Sequence, residues 1–471
     1  MKQILLLTAL AICAVCRGQN PQADALTDSL LAQKQWFTLD WILANNAAEI
    51  SPLTCKRAKA FTDARFRRYN SSNAAIGELF ADPATPPEWQ EELVYQMISN
   101  LRLAQEFGTL AQFYGSLLEQ NGTDPQTDNG YRFYSTLAKL PPTRLERPDK
   151  DVEVGFTADS TGRGQLIYSE VEIGGMTERF IVDTGCAEFS LASAEFAEKH
   201  GIRPVSDMKI SLGGVAGNEE AWLGIADLLK VGEMTLHNAI FVVCPKERLM
   251  PEGSPVEVDA VLGCNFLLRS GVVEFLGREH KLRFPLRDNS IRPHPNVIME
   301  NNGLCYAQAA VDGNPIVMVL DSGNVKSDFS TVYLNKYGRQ IAAAATEGET
   351  KRGGVGGILE GKAYTIPAVS IQIGDMATTL YNIETIDFTN SYEMGEDGSL
   401  GVDFFLSSEC VTLDFDNMSL SIKGKTVNGF GSDTMPQVDI KATGYTPENT
   451  MLWQSKNRKI GIEAGIGSMI R

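Results

Sequence analysis

Two short segments of the sequence carry the residue types that acid–base chemistry requires. In residues 180–185 and 318–323, three apolar residues are followed by an aspartate, a hydroxyl residue and a glycine. The polar ends of the two segments are Asp183, Thr184 and Gly185, and Asp321, Ser322 and Gly323. Two carboxyl groups held close together cannot both ionise cheaply, so they share a proton and can act together as general base and general acid. A lone Asp-Thr-Gly is usually a plain turn after a strand, so this interpretation depends on the duplication.

The spacing of further features around the two aspartates indicates an internal duplication. One glycine precedes each aspartate at the same distance, and another follows each at the same distance. A Gly-rich segment also begins at nearly the same distance after each aspartate. The matched pairs are Gly175 with Gly313, residues 213–217 with 353–357, residues 231–234 with 373–376, and Gly263 with Gly401. Because the matches occur in one order, we expect two homologous lobes about a pseudo-twofold axis, where the aspartates meet.

The predicted lobes are residues 152–288 and 297–426, with a linker at residues 289–296. Both consist of short apolar or alternating runs broken by glycine, a pattern that is typical of β-strands and turns. The sequence therefore predicts a mainly β fold for this region.

Taken together, these motifs resemble those of the bilobal aspartic proteases of the pepsin and retroviral-protease type. The resemblance covers roughly the last two-thirds of the chain, where residues 261–263 and 399–401 also match the apolar-apolar-glycine strand that supports each active-site loop. It implies two retropepsin-like β lobes, a catalytic pair Asp183 and Asp321, and an extended polypeptide as substrate. Thr184 and Ser322 are then expected to hydrogen-bond across to the opposite loop, while Gly185 and Gly323 allow backbone N–H groups to approach the carboxylates.

The Gly-rich segments are similar to the flap hairpins of this family, which close over the substrate. A Gly-rich segment in both lobes is closer to a fused retroviral-type dimer than to pepsin, in which one lobe carries the flap. The expected flap and substrate-binding residues are Gly213, Gly214, Val215, Gly353, Gly354 and Val355.

Four positions depart from the family pattern. Cys186 and Asn324 follow the two motifs, where Ala, Ser or Thr is frequent; we expect Cys186 to be a small buried thiol. Asn324 adds a polar group that could change the proton affinity of the pair. Ser399 occupies a position where an apolar residue is expected. Asn265 occupies the position in the first lobe that is equivalent to Asp403 in the second.

Residues 1–18 have the pattern of a signal peptide, with a basic start, an apolar run too short to span a bilayer, and small residues near Gly18. We therefore expect an exported protein that is periplasmic, cell-surface or secreted. Lipidation of Cys16 is the alternative, which the bulky Val15 disfavours. Export permits disulfides, and Cys305 and Cys410 are candidates for one.

Residues 19–141 show helical periodicity, and residues 142–151 look like a linker. We expect a helical domain that is structural or binds a partner protein, and a pro-segment that covers the cleft is the alternative. One helix is predicted around the apolar face from Leu26 to Ala44, and another begins at Pro86. The C-terminal extension, residues 427–471, has no counterpart in the first lobe.

Composition excludes several other classes of protein. The net charge of −17 disfavours nucleic acid and anionic membranes as partners. Four widely separated histidines and the lack of close cysteine pairs in the mature chain argue against a metal, and no cofactor is expected. Neither a P-loop nor a G-x-S-x-G motif is present. The sequence therefore predicts an exported aspartic endopeptidase; the alternative is an inactive peptide-binding or scaffolding protein of the same fold.

Overall fold

A computed structural model describes residues 20–161, 164–214, 217–250, 256–287, 295–387 and 395–426. These residues form two compact units, residues 20–104 and residues 105–426. The expected signal peptide and C-terminal extension lie outside the described residues. Within the described part of the chain, no helix is both long enough and apolar enough to cross a membrane.

The first unit is helical. Its helices are α1 (Pro21–Ala32), α2 (Trp36–Asn46), α3 (Pro52–Arg65), α4 (Tyr69–Ala81) and α5 (Gln90–Leu103), with 3-10 turns at Ala47–Glu49 and Pro87–Trp89. A proline occupies the first turn of α1 and of α3, where its missing N–H costs no hydrogen bond. The expected start near Pro86 is confirmed, since the turn at Pro87 leads directly into α5.

The predicted single helix from Leu26 to Ala44 is wrong. The chain forms α1 and α2 instead, because Lys34 between them adopts a left-handed backbone conformation with φ of 54°. The apolar side chains keep their inward direction across this break, since Leu26 and Ile42 pack in one buried cluster. Periodicity therefore identified the buried face but not the interruption of the backbone.

The second unit begins with two further helices, α6 (Phe107–Asn121) and α7 (Pro125–Leu137). α6 ends at Gly122, whose φ of 80° suits glycine, and the Asp124 side chain caps α7 by accepting from two backbone N–H groups. The segment predicted as a linker contains strand β1 (Arg144–Glu146). The helical part of the sequence is thus divided between the two units.

The remainder of the second unit is mainly β. Its first lobe comprises β2 (Val152–Ser160), β3 (Gln165–Ile173), β4 (Met176–Val182), β5 (Ser190–Ser193), α8 (Ala194–Lys199), β6 (Arg203–Gly214), β7 (Gly217–Val231), β8 (Met234–Cys244), α9 (Lys246–Leu249), β9 (Ala260–Leu262), α10 (Cys264–Ser270), β10 (Val272–Leu276) and β11 (Lys281–Phe284). Its second lobe comprises β12 (Val297–Met299), β13 (Cys305–Val311), β14 (Asn314–Leu320), β15 (Asp328–Phe329), α11 (Thr331–Ala344), β16 (Thr346–Gly354), β17 (Gly357–Ile373), β18 (Met376–Asp387), β19 (Gly398–Leu400), α12 (Val402–Phe405), β20 (Val411–Asp414), β21 (Ser419–Ile422) and β22 (Lys425–Thr426).

The two lobes repeat one topology. In the first, the β3–β4 hairpin leads to Asp183, and β9 lies parallel to β4; in the second, the β13–β14 hairpin leads to Asp321, and β19 lies parallel to β14. The turns before the two aspartates have nearly the same backbone, with φ of 78° at Gly175 and 77° at Gly313. The expected fold, two homologous β lobes after a helical N-terminal region, is confirmed.

A shared sheet joins the lobes. β10 of the first lobe pairs antiparallel with β20 of the second, and β11 and β21 flank this central pair. Phe275 on β10 is fully buried, and its ring lies 4.6 Å from that of Phe405 in the second lobe. Cys305 and Cys410, the candidates for a disulfide, are both free thiols.

Candidate active site

Asp183 and Asp321 lie at equivalent positions, each directly after the last residue of a buried strand. The N–H of Asp183 donates to the carbonyl of Leu262 at 3.1 Å, and that of Asp321 donates to the carbonyl of Leu400 at 3.0 Å. The predicted supporting strands, β9 and β19, therefore hold the backbone of both aspartates. Since Leu262 and Leu400 are fully buried, packing fixes the position of each loop.

The hydroxyl groups that follow the aspartates tie the two loops together. The backbone N–H of Ser322 donates to Thr184 Oγ1 at 2.9 Å, and the N–H of Thr184 donates to Ser322 Oγ at 3.0 Å. Each hydroxyl also donates to a carbonyl of the opposite strand, Thr184 to Leu320 at 2.9 Å and Ser322 to Val182 at 2.8 Å. The cross-loop bonds implied by the family resemblance are therefore present, and both hydroxyl residues are buried.

Glycine lets the two loops approach closely enough for the carboxylates to meet. A Cβ at Gly185 would lie 2.5 Å from Asp321 Oδ1, and a Cβ at Gly323 would collide with the Asp183 carboxylate. In place of a side chain, Gly323 presents its N–H, which lies 3.1 Å from Asp183 Oδ1 and 3.0 Å from Asp321 Oδ1. Gly185 donates its own N–H to Asp183 Oδ1 at 2.7 Å. The two carboxylates therefore accept hydrogen bonds from a common set of backbone N–H groups.

The two carboxyl groups perturb each other's protonation. Burial raises the pKa of Asp183, and the N–H of Gly185 opposes that rise. Burial also raises the pKa of Asp321 well above its usual range, with further contributions from the charge of Asp183 and a hydrogen bond between the two side chains. A pair of this kind retains one proton above the pH at which an isolated aspartate is ionised.

The residues that follow the motifs lie in different environments. Cys186 is half-buried, whereas a buried thiol was expected. Desolvation, followed by the charges of Asp183 and Asp321, raises the pKa of the Cys186 thiol well above its usual range, so this thiol is neutral. The backbone N–H of Asn324 donates to Asp321 Oδ1 at 3.0 Å. Its side-chain amide points elsewhere and donates to Asp328 at 3.2 Å and to Ser399 at 3.3 Å. This hydrogen bond explains why a serine occupies position 399 of an otherwise apolar strand.

The substitution of Asn265 for aspartate has a matching explanation. Asn265 Oδ1 accepts from the Ser190 hydroxyl at 2.7 Å, and Asp403 Oδ1 accepts from the Ser327 hydroxyl at 2.6 Å. In both lobes that serine in turn accepts from the glycine N–H after the supporting strand, Gly263 in one and Gly401 in the other. The amide of Asn265 and the carboxylate of Asp403 therefore have the same structural role, which is to accept a hydrogen bond from the serine of their lobe.

The predicted Gly-rich hairpins form in both lobes. β6 pairs with β7 up to Gly214 and Gly217, and β16 pairs with β17 up to Gly354 and Gly357. Their tips meet, because a Cβ at Gly214 would lie 2.5 Å from the carbonyl oxygen of Val355. Gly213, Gly353 and Gly354 lie in the paired strands; Val215 lies outside the described residues. Whether these hairpins act as flaps stays a prediction.

Three charged residues beside the second loop were not singled out from the sequence. Asp328, Arg352 and Glu384 come from three different strands and form a cluster next to Asn324. Comparison of the two repeats beyond their glycines would have drawn attention to them, because the matching positions in the first lobe are apolar. Among the described residues, no cluster of His, Cys, Asp and Glu has the arrangement of a metal site.

Comparison with known proteins agrees with this geometry. Residues 169–266, which include Asp183, match the family model described as aspartyl protease. No curated protein sequence matches the chain. The expected resemblance is thus confirmed in sequence for the first lobe, and the second lobe repeats its architecture.

Several solved structures are similar to this chain. One is an aspartic proteinase from Irpex lacteus, with 13% identity and a TM-score of 0.38 over 60% of this chain and 99% of that chain. Another is conglutin gamma, a basic 7S globulin from lupine seeds, with 11% identity and a TM-score of 0.35 over 59% of this chain and 96% of that one. A third is basic 7S globulin from soybean, with 12% identity and a TM-score of 0.36 over 60% of this chain and 96% of that one.

Proposed function

We propose that this protein is an aspartic endopeptidase in which Asp183 and Asp321 together activate water to hydrolyse a peptide bond. The observation that carries the proposal is the contact of these two half-buried carboxyl groups, one from each lobe, within a shared set of backbone N–H donors. A purely structural carboxyl pair would be a costly feature, since two like charges held in contact and partly removed from water destabilise the folded state. Active sites commonly retain such groups because their chemistry needs the altered pKa.

The chemistry follows from the single shared proton. The ionised carboxyl group accepts a proton from a water molecule as the water oxygen attacks the carbonyl carbon of the substrate. The protonated carboxyl group donates to the carbonyl oxygen, which avoids a free oxyanion. When the carbon–nitrogen bond breaks, the departing nitrogen takes the proton that came from the water molecule. A hydroxyl of the diol intermediate returns its proton to the other carboxylate as it becomes a carbonyl, so the pair again holds one proton. Because the two groups titrate as a pair, the roles of base and acid are not assigned to one residue each.

The two Gly-rich hairpins are proposed to cover an extended polypeptide. An extended peptide binds through backbone hydrogen bonds to strand edges, which accommodates many sequences. Closure would also remove bulk water from the carboxyl pair and keep the pKa values perturbed. The contact between Gly214 and Val355 at the hairpin tips supports such a covered cleft.

We further propose that the protein is exported after cleavage near Gly18. Residues 1–18 supply the basic start, the apolar run and the small residues that such a signal requires. N-terminal sequencing of the protein purified from fractionated cells should give a mature chain that begins near Gln19. An unprocessed N-terminus on the cytoplasmic protein would contradict export without affecting the proposed chemistry.

The decisive experiment is cleavage of a peptide library by the wild-type protein and by Asp183→Asn and Asp321→Asn, from acidic to neutral pH. Each substitution keeps the size of the side chain but removes one ionisable group. We expect each to reduce kcat/KM by a factor on the order of a thousand or more, since the pair acts as a unit. Circular dichroism and the unfolding transition of each variant serve as the control for folding.

Two results would contradict the proposal. Cleavage that survives either substitution would show that another group performs the reaction. Specific peptide binding by a wild-type protein that cleaves nothing would favour the inactive peptide-binding protein.

A further inference from the structure

The two candidate active-site loops differ in the bonds that hold the residues after each motif. These residues are Cys186 and Ala187 in the first loop and Asn324 and Val325 in the second. In the first loop both bond to Phe189 of the same loop, whose carbonyl accepts from the Cys186 thiol at 3.2 Å and whose N–H donates to the Ala187 carbonyl at 2.7 Å. At the same two positions, the second loop reaches other elements of the fold.

The carboxamide of Asn324 links the second loop to two strands. Its Nδ2 donates to Asp328 Oδ2 of β15 at 3.2 Å and to Ser399 Oγ of β19 at 3.3 Å. Its Oδ1 accepts from the N–H of Lys326 in the same loop at 3.4 Å. β19 also holds the backbone of Asp321. The carboxamide therefore ties the loop to the strand that supports the aspartate.

Val325 is held from the opposite lobe. Gln165, the first residue of β3, donates its N–H to the Val325 carbonyl at 3.3 Å. Gly164 lies so close to the same carbonyl that a Cβ at this position would be 2.1 Å from its oxygen. This close approach requires glycine, because any side chain would separate β3 from the second loop.

These contacts fix the segment whose backbone bonds to Asp321. The N–H groups of Asn324 and Gly323 both donate to Asp321 Oδ1 at 3.0 Å. Such donors favour the ionised carboxyl group, so they lower the pKa of Asp321 against the rise that desolvation and the charge of Asp183 cause. A hydrogen bond weakens when the N–H turns away from its acceptor. The orientation of the peptide group before Asn324 therefore affects the protonation of the pair.

We propose that Asn324 is a positioning residue for Asp321. Its carboxamide, together with the first-lobe contact at Gly164, holds the second loop so that the Asn324 N–H points at the carboxyl group. The side chain is directed to β15 and β19, so Asn324 acts on the pair through its backbone. The consequence for the rate of reaction rests on the proposed peptide-cleaving function.

The first test is the titration of Asp321, followed by carbon NMR in protein that is isotope-labelled at the aspartate carboxyl carbons. The signal that is missing from Asp321→Asn identifies this residue. Asn324→Ala keeps the backbone N–H but loses the bonds that orient it, so Asp321 should titrate at a pH higher by roughly half a unit. Gly164→Ala pushes on the Val325 carbonyl and should shift the titration in the same direction.

The variants leave the other titratable groups around Asp321 in place. The charge of Asp183 acts on Asp321, and the charge of Asp321 acts on the thiol of Cys186. Neither residue is substituted in Asn324→Ala or Gly164→Ala, and neither substitution adds or removes a charge. A shifted titration therefore reports on the backbone donor.

Each variant has a matched control. Asn314→Ala removes a carboxamide from the other end of β14, the strand that leads to Asp321, where Asn314 donates to the Val311 carbonyl at 3.3 Å. Gly155→Ala adds a Cβ to β2, the strand that pairs with β3, and this Cβ would meet nothing within 4 Å. Both controls should leave the titration of Asp321 unchanged. Denaturant unfolding of all four variants confirms that each is folded.

The second test is the rate of cleavage of a peptide that the wild type cuts. Because the carboxyl pair is misaligned while the substrate contacts are kept, Asn324→Ala and Gly164→Ala should lower kcat by about tenfold and change KM by less than about twofold. The alkaline limit of the kcat profile should move to higher pH together with the titration of Asp321. The two controls should keep the wild-type kcat.

The outcomes separate this inference from the proposed function. If Asp321 titrates in Asn324→Ala as it does in Asn314→Ala, the positioning role is overturned and the endopeptidase proposal stands. A shifted titration in a protein that cleaves no peptide would support the positioning role and contradict the enzyme. A shift in Asn324→Ala but none in Gly164→Ala would overturn the part assigned to the first-lobe contact. A change in KM alone would overturn the positioning role, since it would indicate a contact with the substrate.

Discussion

Thr184 and Ser322 each use one hydroxyl group to satisfy two backbone groups of the opposite loop. A valine at either position would fill the same space but leave a buried N–H and a buried carbonyl without partners. Hydroxyl residues at these positions therefore couple the two loops, so that neither aspartate can move without the other. This coupling explains how two carboxyl groups from distant parts of the chain can be held within hydrogen-bonding reach.

At the residue scale, the raised pKa of Asp321 predicts a particular dependence of stability on pH. The folded protein holds a proton that the unfolded chain releases near the ordinary aspartate pKa of 3.8, so stability falls as pH rises above that value. Asparagine cannot ionise, so Asp321→Asn should be more stable than the wild type at neutral pH, with the difference shrinking toward pH 4. Denaturant unfolding midpoints of both proteins between pH 4 and 8 measure this difference.

Asp227 provides a control of opposite sign. Hydrogen bonds from Arg203 lower the pKa of this exposed aspartate, so its contribution is stabilising above the ordinary pKa and is lost as pH falls. Asp227→Asn should therefore be slightly less stable than the wild type at neutral pH. A parallel pH trend in the two variants would contradict the assignment of a buried proton to the carboxyl pair.

At the scale of elements, the supporting strands and the hairpins have different mechanical roles. β9 and β19 are short, buried and bonded to the backbone of the aspartates, so they fix the site. The β16–β17 hairpin extends to a two-residue turn at Val355 and Gly356, and it supplies Arg352 to the charged cluster and Thr350 as a donor to Glu384. The supporting strands therefore fix the position of the aspartates, while the hairpins bring their two tips into contact.

Substitution of Gly214 by alanine tests the contact between the hairpin tips. The added Cβ would lie 2.5 Å from the Val355 carbonyl oxygen, so the tips must separate. We expect kcat/KM for a cleaved peptide to fall by about tenfold, because a displaced cover orients the substrate less well. Stability should change little, since the clash is relieved by movement of an exposed tip.

Gly348→Ala is the matched control, because its Cβ would meet nothing within 4 Å on the equivalent hairpin of the second lobe. It should leave kcat/KM unchanged. Equal kinetic effects of the two substitutions would show that the tip contact has no role in catalysis.

At the scale of the whole second unit, the shared sheet makes the two lobes a single folding unit. The β10–β20 pair brings Phe275 into contact with the second lobe, where its ring lies against Phe405. Since both rings are fully buried, they belong to one core that spans the lobes.

Phe275→Ala should therefore destabilise both lobes together. The loss of a buried phenylalanine costs about 3–5 kcal/mol, and we expect one unfolding transition at a lower denaturant concentration. Leu228→Ala removes a leucine that is 46% exposed, so it should change stability by less than about 0.5 kcal/mol. Two separated transitions in the Phe275 variant would show that the lobes unfold independently. Intrinsic fluorescence and circular dichroism as a function of urea measure this.

The sequence by itself determined the internal repeat, that is, the same residue types at matched spacings around the two aspartates. Glycine, hydroxyl and aspartate recur at matched spacings because turns, close approaches and acid–base chemistry each demand particular residue types, and these demands are local. From them followed the two β lobes, the pair Asp183 and Asp321, and both hairpins. Helical periodicity likewise placed the N-terminal helices, although it missed the break at Lys34, where one backbone angle overrides the apolar pattern.

Only the tertiary structure decided which distant residues meet. The pairing of β10 with β20, the hydroxyl bonds between the two loops, and the cluster of Asp328, Arg352 and Glu384 all join segments far apart in the chain. No local propensity encodes such contacts, because they depend on how the sheets twist and on which side chains share a face. The spacing of Asp183 and Asp321 thus predicted that they act as a pair, but the proton they share follows from the contact that folding creates between them.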